Sequence, residues 1–294
     1  MKLHRTTAYL GGRSYTLITP RPSTTERFAV NHCHGMWHVL SEQAGTRLFA
    51  RLLWGLSFDR HENTVVVIDH RFLAPDPFDG ARSMPIALVP QERTPFGDGA
   101  ARALRRALPS LRRPQGTVRW LTGGLDTALA DRKAWWERQP TTRRDPFGHR
   151  RSRSVLDTVR AGVLVLPGDR ATLRAQAVSI ASLAVSTGTP MDYAESDRFE
   201  FQVFHDFRRR VDAARVARRE IEATPLPWDR MVEPVLVGRD VTTSRIWSRG
   251  TEIRERRMRG RPSAAREAVP RVRSVNEIER SGATPRERQE NETA

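Results

Sequence analysis

Three of the chain's eight histidines fall within seven residues, in Asn31-His32-Cys33-His34-Gly35-Met36-Trp37-His38-Val39-Leu40. What flanks this string constrains the fold more than any other feature. Ser23 and Glu26 stand at the capping-box spacing, in which a hydroxyl and a carboxylate satisfy each other's backbone donors at a helix start. Gly45, just past Glu42 and Gln43, supplies a left-handed stop. The spacing therefore predicts a helix carrying the histidines. Two β-rich runs follow, residues 48–58 and 64–69, around Asp59-Arg60-His61-Glu62-Asn63. The expected unit is a histidine-loaded helix feeding a hairpin.

The neighbouring segments extend this unit. Residues 14–19, rich in β-formers and closed by Pro20 and Pro22, read as a first strand. Residues 86–89 read as a short strand. A helix over residues 100–108 is capped by Asp98 and ended by Pro109, and residues 116–122 form a further strand stopped by Gly123-Gly124. The resulting β-α-β-β-α-β order is that of the ferredoxin-like fold shared by RNA-recognition domains. The expected class is α+β. A ferredoxin-like (RRM-like) domain covers residues 1–125, and a basic Trp-containing connector covers 126–153. A second, smaller α+β domain covers 154–248, with a disordered Arg-rich tail over 249–294. Within the second domain, residues 161–166 read as a buried strand. Pro167-Gly168-Asp169 caps a helix that Gly188 and Pro190 end. A longer helix is expected over residues 197–223, although Phe199-Glu200-Phe201 fits a strand equally well. A hairpin is expected over residues 232–247.

Charge narrows the partner. The 294 residues carry a net charge of +16 and a pI near 11.4, which calls for a polyanion. Only Lys2 and Lys133 are lysines, so 48 of the 50 basic residues are arginine, a skew that GC-rich coding also produces. Cys33 is the only cysteine, which excludes an intrachain disulfide and a multi-cysteine metal site. No apolar run approaches the roughly 18 residues of a membrane helix. Nor does the N-terminus read as a secretion signal, so a cytoplasmic location without membrane contact is the default.

On the expected helix, His34 and His38 share a face and His32 lies on the apolar side with Phe28, Met36 and Val39. Three readings stay open for the histidines: solvated or packed side chains, acid–base groups suited by a near-neutral pKa, or metal ligands. The metal reading would add His61, Asp69 or His70. It lacks the Glu of a His-Glu-x-x-His helix, where Gly35 stands, and no cofactor or metal is expected. Lys133, Trp135, Trp136, Arg143, Arg144, Arg150, Arg151 and Arg153 form a candidate RNA-binding segment. Tryptophans there would stack bases and cations would hold phosphates. The alternative is an amphipathic segment docking its tryptophans on the core.

The string His34-Gly35-Met36-Trp37-His38-Val39-Leu40, with Ala50-Arg51-Leu52-Leu53-Trp54-Gly55-Leu56, Thr64-Val65-Val66-Val67-Ile68 and Ala74-Pro75-Asp76, resembles the N-terminal half of the CasE family. These are the CRISPR RNA-processing endoribonucleases of antiviral defense complexes. The resemblance is concentrated in residues 27–76. It implies metal-independent cleavage, in which a ribose 2′-OH attacks the adjacent phosphate and leaves a cyclic phosphate. The family's catalytic histidine aligns with Cys33, so either His32 or His34 would be the acid–base. Tyr15 would orient the 2′-OH, and Arg27 would stabilise the added charge. The partners implied are a hairpin or repeat RNA and other subunits of a ribonucleoprotein complex. The alternative is a non-catalytic basic nucleic-acid-binding accessory protein of a mobile element.

Overall fold

In the computed structural model, which describes residues 1–139, 158–196, 199–223 and 241–259, the histidine string is a β-hairpin. Strands β3 (Phe28–Cys33) and β4 (Met36–Ser41) pair antiparallel, with Cys33 opposite Met36. His34 and Gly35 form the two-residue turn, at φ 53° and 74°. Two consecutive left-handed residues give the turn whose twist matches the strands, and glycine carries the second at no steric cost. Alternation decides the strand. Phe28, Val30 and Val39 point into one core, Ala29 and Leu40 into another. The capping-box residues Ser23 and Glu26 lie in the irregular connector before β3.

The expected strand over residues 48–58 is in turn part of helix α1 (Gln43–Phe58). Phe49, Ala50, Leu52, Leu53, Trp54 and Leu56 are all buried, so the helix is covered over most of its surface and keeps only a narrow wet face at Arg47 and Arg51. Gly45 does not end a helix but sits in the first turn of α1. A Cβ there would lie 1.9 Å from the Ser41 hydroxyl, so glycine permits the close turn from β4.

Two sheets sandwich α1. The larger takes the order β7-β1-β2-β5-β6-β9-β8, from β1 (Lys2–Leu10), β2 (Arg13–Thr19), β5 (Thr64–Ile68), β6 (Ile86–Pro90), β7 (Gly116–Arg119), β8 (Val159–Arg160) and β9 (Val163–Gly168). The smaller takes the order β10-β11-β4-β3, with β10 (Met191–Glu195) and β11 (Phe199–Phe204). One face of the larger sheet buries Leu17, Val65, Val67, Val89 and Val165 against Ala101 and Leu104 of α2 (Asp98–Ala107). Its other face buries Ile18, Val66, Ile86 and Leu164 with α1 and α5 (Arg170–Ala181). That core continues to Phe199, Phe201 and Val203 of the smaller sheet. Beyond the smaller sheet, Leu40 and Phe204 meet Phe207 and Val211 of α6 (Phe207–Ala223). Ala213 and Ala217 of α6 then pack on Ile246 and Ile253 of α7 (Val241–Arg259).

The class is α+β as expected, but the strand pairing is not the ferredoxin-like one. In a split β-α-β unit a strand lies between the two parallel strands. Here β2 and β5 pair directly, Leu17 opposite Val65, and α1 and α2 lie on opposite faces. The expected divisions near 125 and 153 are crossed by the sheets: β9 pairs with β6 and β11 with β4. The described residues up to Arg254 form one compact unit. Arg249 begins no disordered tail, because α7 runs through it and buries Ile253; residues 260–294 lie outside the described ones. The expected hairpin over 232–247 falls partly outside them too, and its last residues begin α7.

Gly55 of α1 faces the Trp120 ring, 2.3 Å from where a Cβ would stand. Gly→Ala in a helix ordinarily stabilises by about 1 kcal/mol. Here the clash with a buried indole opposes it by about 1–3 kcal/mol. Gly55→Ala should therefore lower the melting temperature, and an unchanged or raised Tm would show that Trp120 yields freely.

A candidate nucleic-acid interface

The hairpin sets three histidines in different surroundings. His34, in the turn, is exposed; His32 on β3 is exposed and its ring lies 4.6 Å from that of Trp37. His38 on β4 is buried, and its Nε2 stands 4.0 Å from Oε2 of Glu200 on β11. Register explains the meeting: Asn31, His38, Glu200 and Glu195 stand opposite one another across β3, β4, β11 and β10. Gln202 donates from Nε2 to Glu200 Oε1 at 2.6 Å. The metal reading of the histidines finds no counterpart: no group of three His, Cys, Asp or Glu side chains among the described residues is arranged to hold a metal ion.

Burial pushes the Glu200 carboxyl above its ordinary range, and nearby Glu195 adds to this, while the Gln202 bond and His34 oppose it. A carboxyl raised in the folded state binds its proton there after the unfolded chain has released it. Stability contributed by this group is present at acid pH and is lost as pH rises through the folded value. Glu200→Gln should therefore raise stability at pH 7, with the gain vanishing below the ordinary carboxylate range. An equal gain at every pH would contradict this origin.

The other residues expected to act with these histidines are placed elsewhere. Tyr15 is buried in the core beneath α2, where burial pushes its phenol up, and its hydroxyl donates to the Pro95 carbonyl. It belongs to the larger sheet, not to the hairpin. Arg27 spends its guanidinium on the Thr24 and Glu26 carbonyls, at 3.1 and 2.9 Å. Trp135, on the short helix α4 (Arg132–Glu137) that follows α3 (Gly123–Ala130), is 9% exposed and packs on the central core; Trp136 is half-buried beside it. The pair docks the segment instead of offering faces to bases. Lys133 is exposed, and Arg143, Arg144, Arg150, Arg151 and Arg153 lie outside the described residues.

A different cluster emerges where α6 meets the loop after β5. Gly80, at φ 70°, brings that loop so close that a Cβ would stand 2.8 Å from the Ala214 carbonyl oxygen. Asp76 shapes the same loop by accepting from the Phe78 amide, and Ser83 by donating to the Ala74 carbonyl. The result is an open pocket of about 560 Å³ whose walls include His70, Arg82, Arg215, Arg218, Arg219 and Glu222. Glu222 is engaged by Arg218 at 2.7 Å. Arg82, Arg215 and Arg219 are exposed and have no carboxylate in ion-pair range among the described residues. Arg215 and Arg219 stand one helical turn apart, a like-charge spacing that costs an isolated helix a few tenths of a kcal/mol. Four guanidiniums around one concavity suit phosphate oxygens, which they bind in bidentate fashion. The spacing of Arg215, Arg218 and Arg219 is visible in the sequence; the loop that completes the pocket is not.

No family model, no curated protein and no solved structure matches this chain. What fold and site define is a mixed α+β protein with an arginine-walled pocket, in which no helix among the described residues is long and apolar enough to cross a membrane.

Proposed function

We propose that this chain is an RNA-binding protein whose phosphate-binding centre is the pocket between α6 and the residue 70–83 loop. The observation that carries the reading is the charge of that pocket: four arginines and His70 against one carboxylate, itself paired with Arg218. A net charge of +16 supplies the long-range attraction. The exposed His32 ring against Trp37 adds a stacking edge suited to an unpaired base. Phosphate contacts give affinity and orientation, whereas stacking on unpaired bases favours RNA loops over duplex. Fluorescence anisotropy with a labelled RNA hairpin tests this. Saturable binding, competed better by hairpin RNA than by duplex DNA of the same sequence, is expected. No binding near physiological salt would end the reading.

A second reading, cleavage of the CasE type, is favoured by the grouping of His32, His34, His38 and Glu200 around one hairpin. A base would take the 2′-OH proton, the 2′-oxygen would bond to phosphorus, and the 5′-oxygen would leave with a proton from an acid. Cleavage should then persist in EDTA and leave a 2′,3′-cyclic phosphate. His34→Ala or His32→Ala should lose about 10²–10⁴-fold in rate, with His38→Ala affected less. Full activity in both single variants, or abolition by EDTA, would contradict the mechanism. A hairpin bound but never cut would leave the non-catalytic accessory reading standing.

A further inference from the structure

We propose that the arginine pocket is one end of a longer anion track. The track crosses the corner after β5 to the turn following α2 and the β1/β7 edge, and one RNA strand occupies both ends. This rests on the RNA reading above.

Residues 99–125 contain Arg102, Arg105, Arg106, Arg112, Arg113 and Arg119 and no acidic residue. The topology brings the end of this stretch to the pocket's corner. β1 runs antiparallel to β2, and β2 parallel to β5, so the start of β1 and the ends of β2 and β5 share one end of the sheet. Lys2, Arg21 and the residue 69–73 loop all lie there. α2 leads away from Gly11 at the opposite end, where a Cβ would meet the Ala100 backbone at 2.8 Å. It delivers a 3-10 turn, Leu108–Arg112, to the same corner.

Arg71 ties the two ends together. It holds Asp69 at 2.6 Å and reaches the Leu111 carbonyl at 3.4 Å, while its chain neighbour His70 lines the pocket. The corner is electropositive enough to register on His4, which burial and then Arg21 and Arg71 hold below the usual imidazole range. Lys2 and Arg119 stand directly opposite across β1 and β7, a like-charge pair that costs the sheet stability. Lys2, Arg21, Arg112, Arg113 and Arg119 are all exposed and have no carboxylate in ion-pair range among the described residues. Cations left unneutralised at one corner of the sheet match a ligand that brings several phosphates in a row.

The test is a length series of fluorescein-labelled oligouridylates, from two nucleotides to roughly sixteen, spanning the usual single-strand site sizes. Wild type would be compared with Arg215→Gln/Arg219→Gln at the pocket and Arg112→Gln/Arg113→Gln at the far end. Circular dichroism and melting would show both variants folded. Affinity should rise at least about tenfold from the dinucleotide to the long oligomers. The far-end change should erase that rise and leave the dinucleotide unaffected. It should also flatten the salt slope of the long oligomers by about 1.4, at about 0.7 per single-strand phosphate contact. Affinity independent of length, or a far-end variant equal to wild type at every length, would overturn the track and leave the pocket reading intact. Absence of binding at every length would remove both.

Discussion

Phe49→Ala should cost about 3–5 kcal/mol of folding stability, the range for a large aromatic removed from a packed core. Phe49 is fully buried on α1, and its ring lies 5.7 Å from Phe28, 6.3 Å from Phe199 and 5.0 Å from Phe201. Those three rings belong to β3 and β11, so this one side chain fastens the central helix to the smaller sheet. Against a total stability of about 5–15 kcal/mol, the loss removes a large share. Urea unfolding followed by circular dichroism should show a much lower midpoint with little change in slope. A loss below about 1 kcal/mol would mean that the smaller sheet is held by other contacts.

The second large effect concerns binding, with stability moving the other way. Arg215→Gln/Arg219→Gln removes two guanidiniums from the pocket wall and relieves a like-charge pair on α6. Each charge-assisted phosphate contact contributes on the order of 1 kcal/mol or more, so affinity for an RNA hairpin should fall about 10–100-fold. The melting temperature should hold or rise slightly. Equal affinity in variant and wild type would place the phosphate contacts elsewhere. Lost affinity with a lowered Tm would show that the arginines hold the structure instead.

Short β-rich runs bounded by turn residues, and helix caps, were legible in the sequence. The strands β2, β5, β6 and β9 and the helix α2 sit close to where β-branched runs and helix caps place them. Asp169 caps α5 as read, accepting from the Thr172 amide at 2.6 Å. The misreadings fall where a local signal fits two elements. An apolar run such as Leu48-Phe49-Ala50-Arg51-Leu52-Leu53-Trp54 reads alike in a largely buried helix and a buried strand, because Arg47 and Arg51 alone mark its narrow wet face. In the histidine string, the His34-Gly35 turn and the inward alternation of Phe28, Val30 and Val39 were outweighed by Ser23 and Glu26 at capping-box spacing. β1 was missed because it is an amphipathic strand with Lys2, His4 and Arg5 among its apolar residues.

Of the candidate site, the charge was legible and its location was not. The arginine spacing on α6 was readable, but Gly80 reaches that helix from about 130 residues earlier in the chain, a contact no local pattern encodes. Conversely, Trp135 and Trp136 among basic residues carried the look of a stacking platform, and packing consumed them.

The most direct test of RNA binding through this pocket is the salt dependence of hairpin affinity, measured between about 50 and 200 mM monovalent salt. Arg82, Arg215 and Arg219, free of carboxylate partners among the described residues, should each release a condensed counterion. The slope of log affinity against log salt should be about −2 or steeper, at about 0.7–0.9 per contact, and shallower by about 1.4–1.8 in the Arg215→Gln/Arg219→Gln variant. A slope near zero, or the same slope in both proteins, would contradict the account.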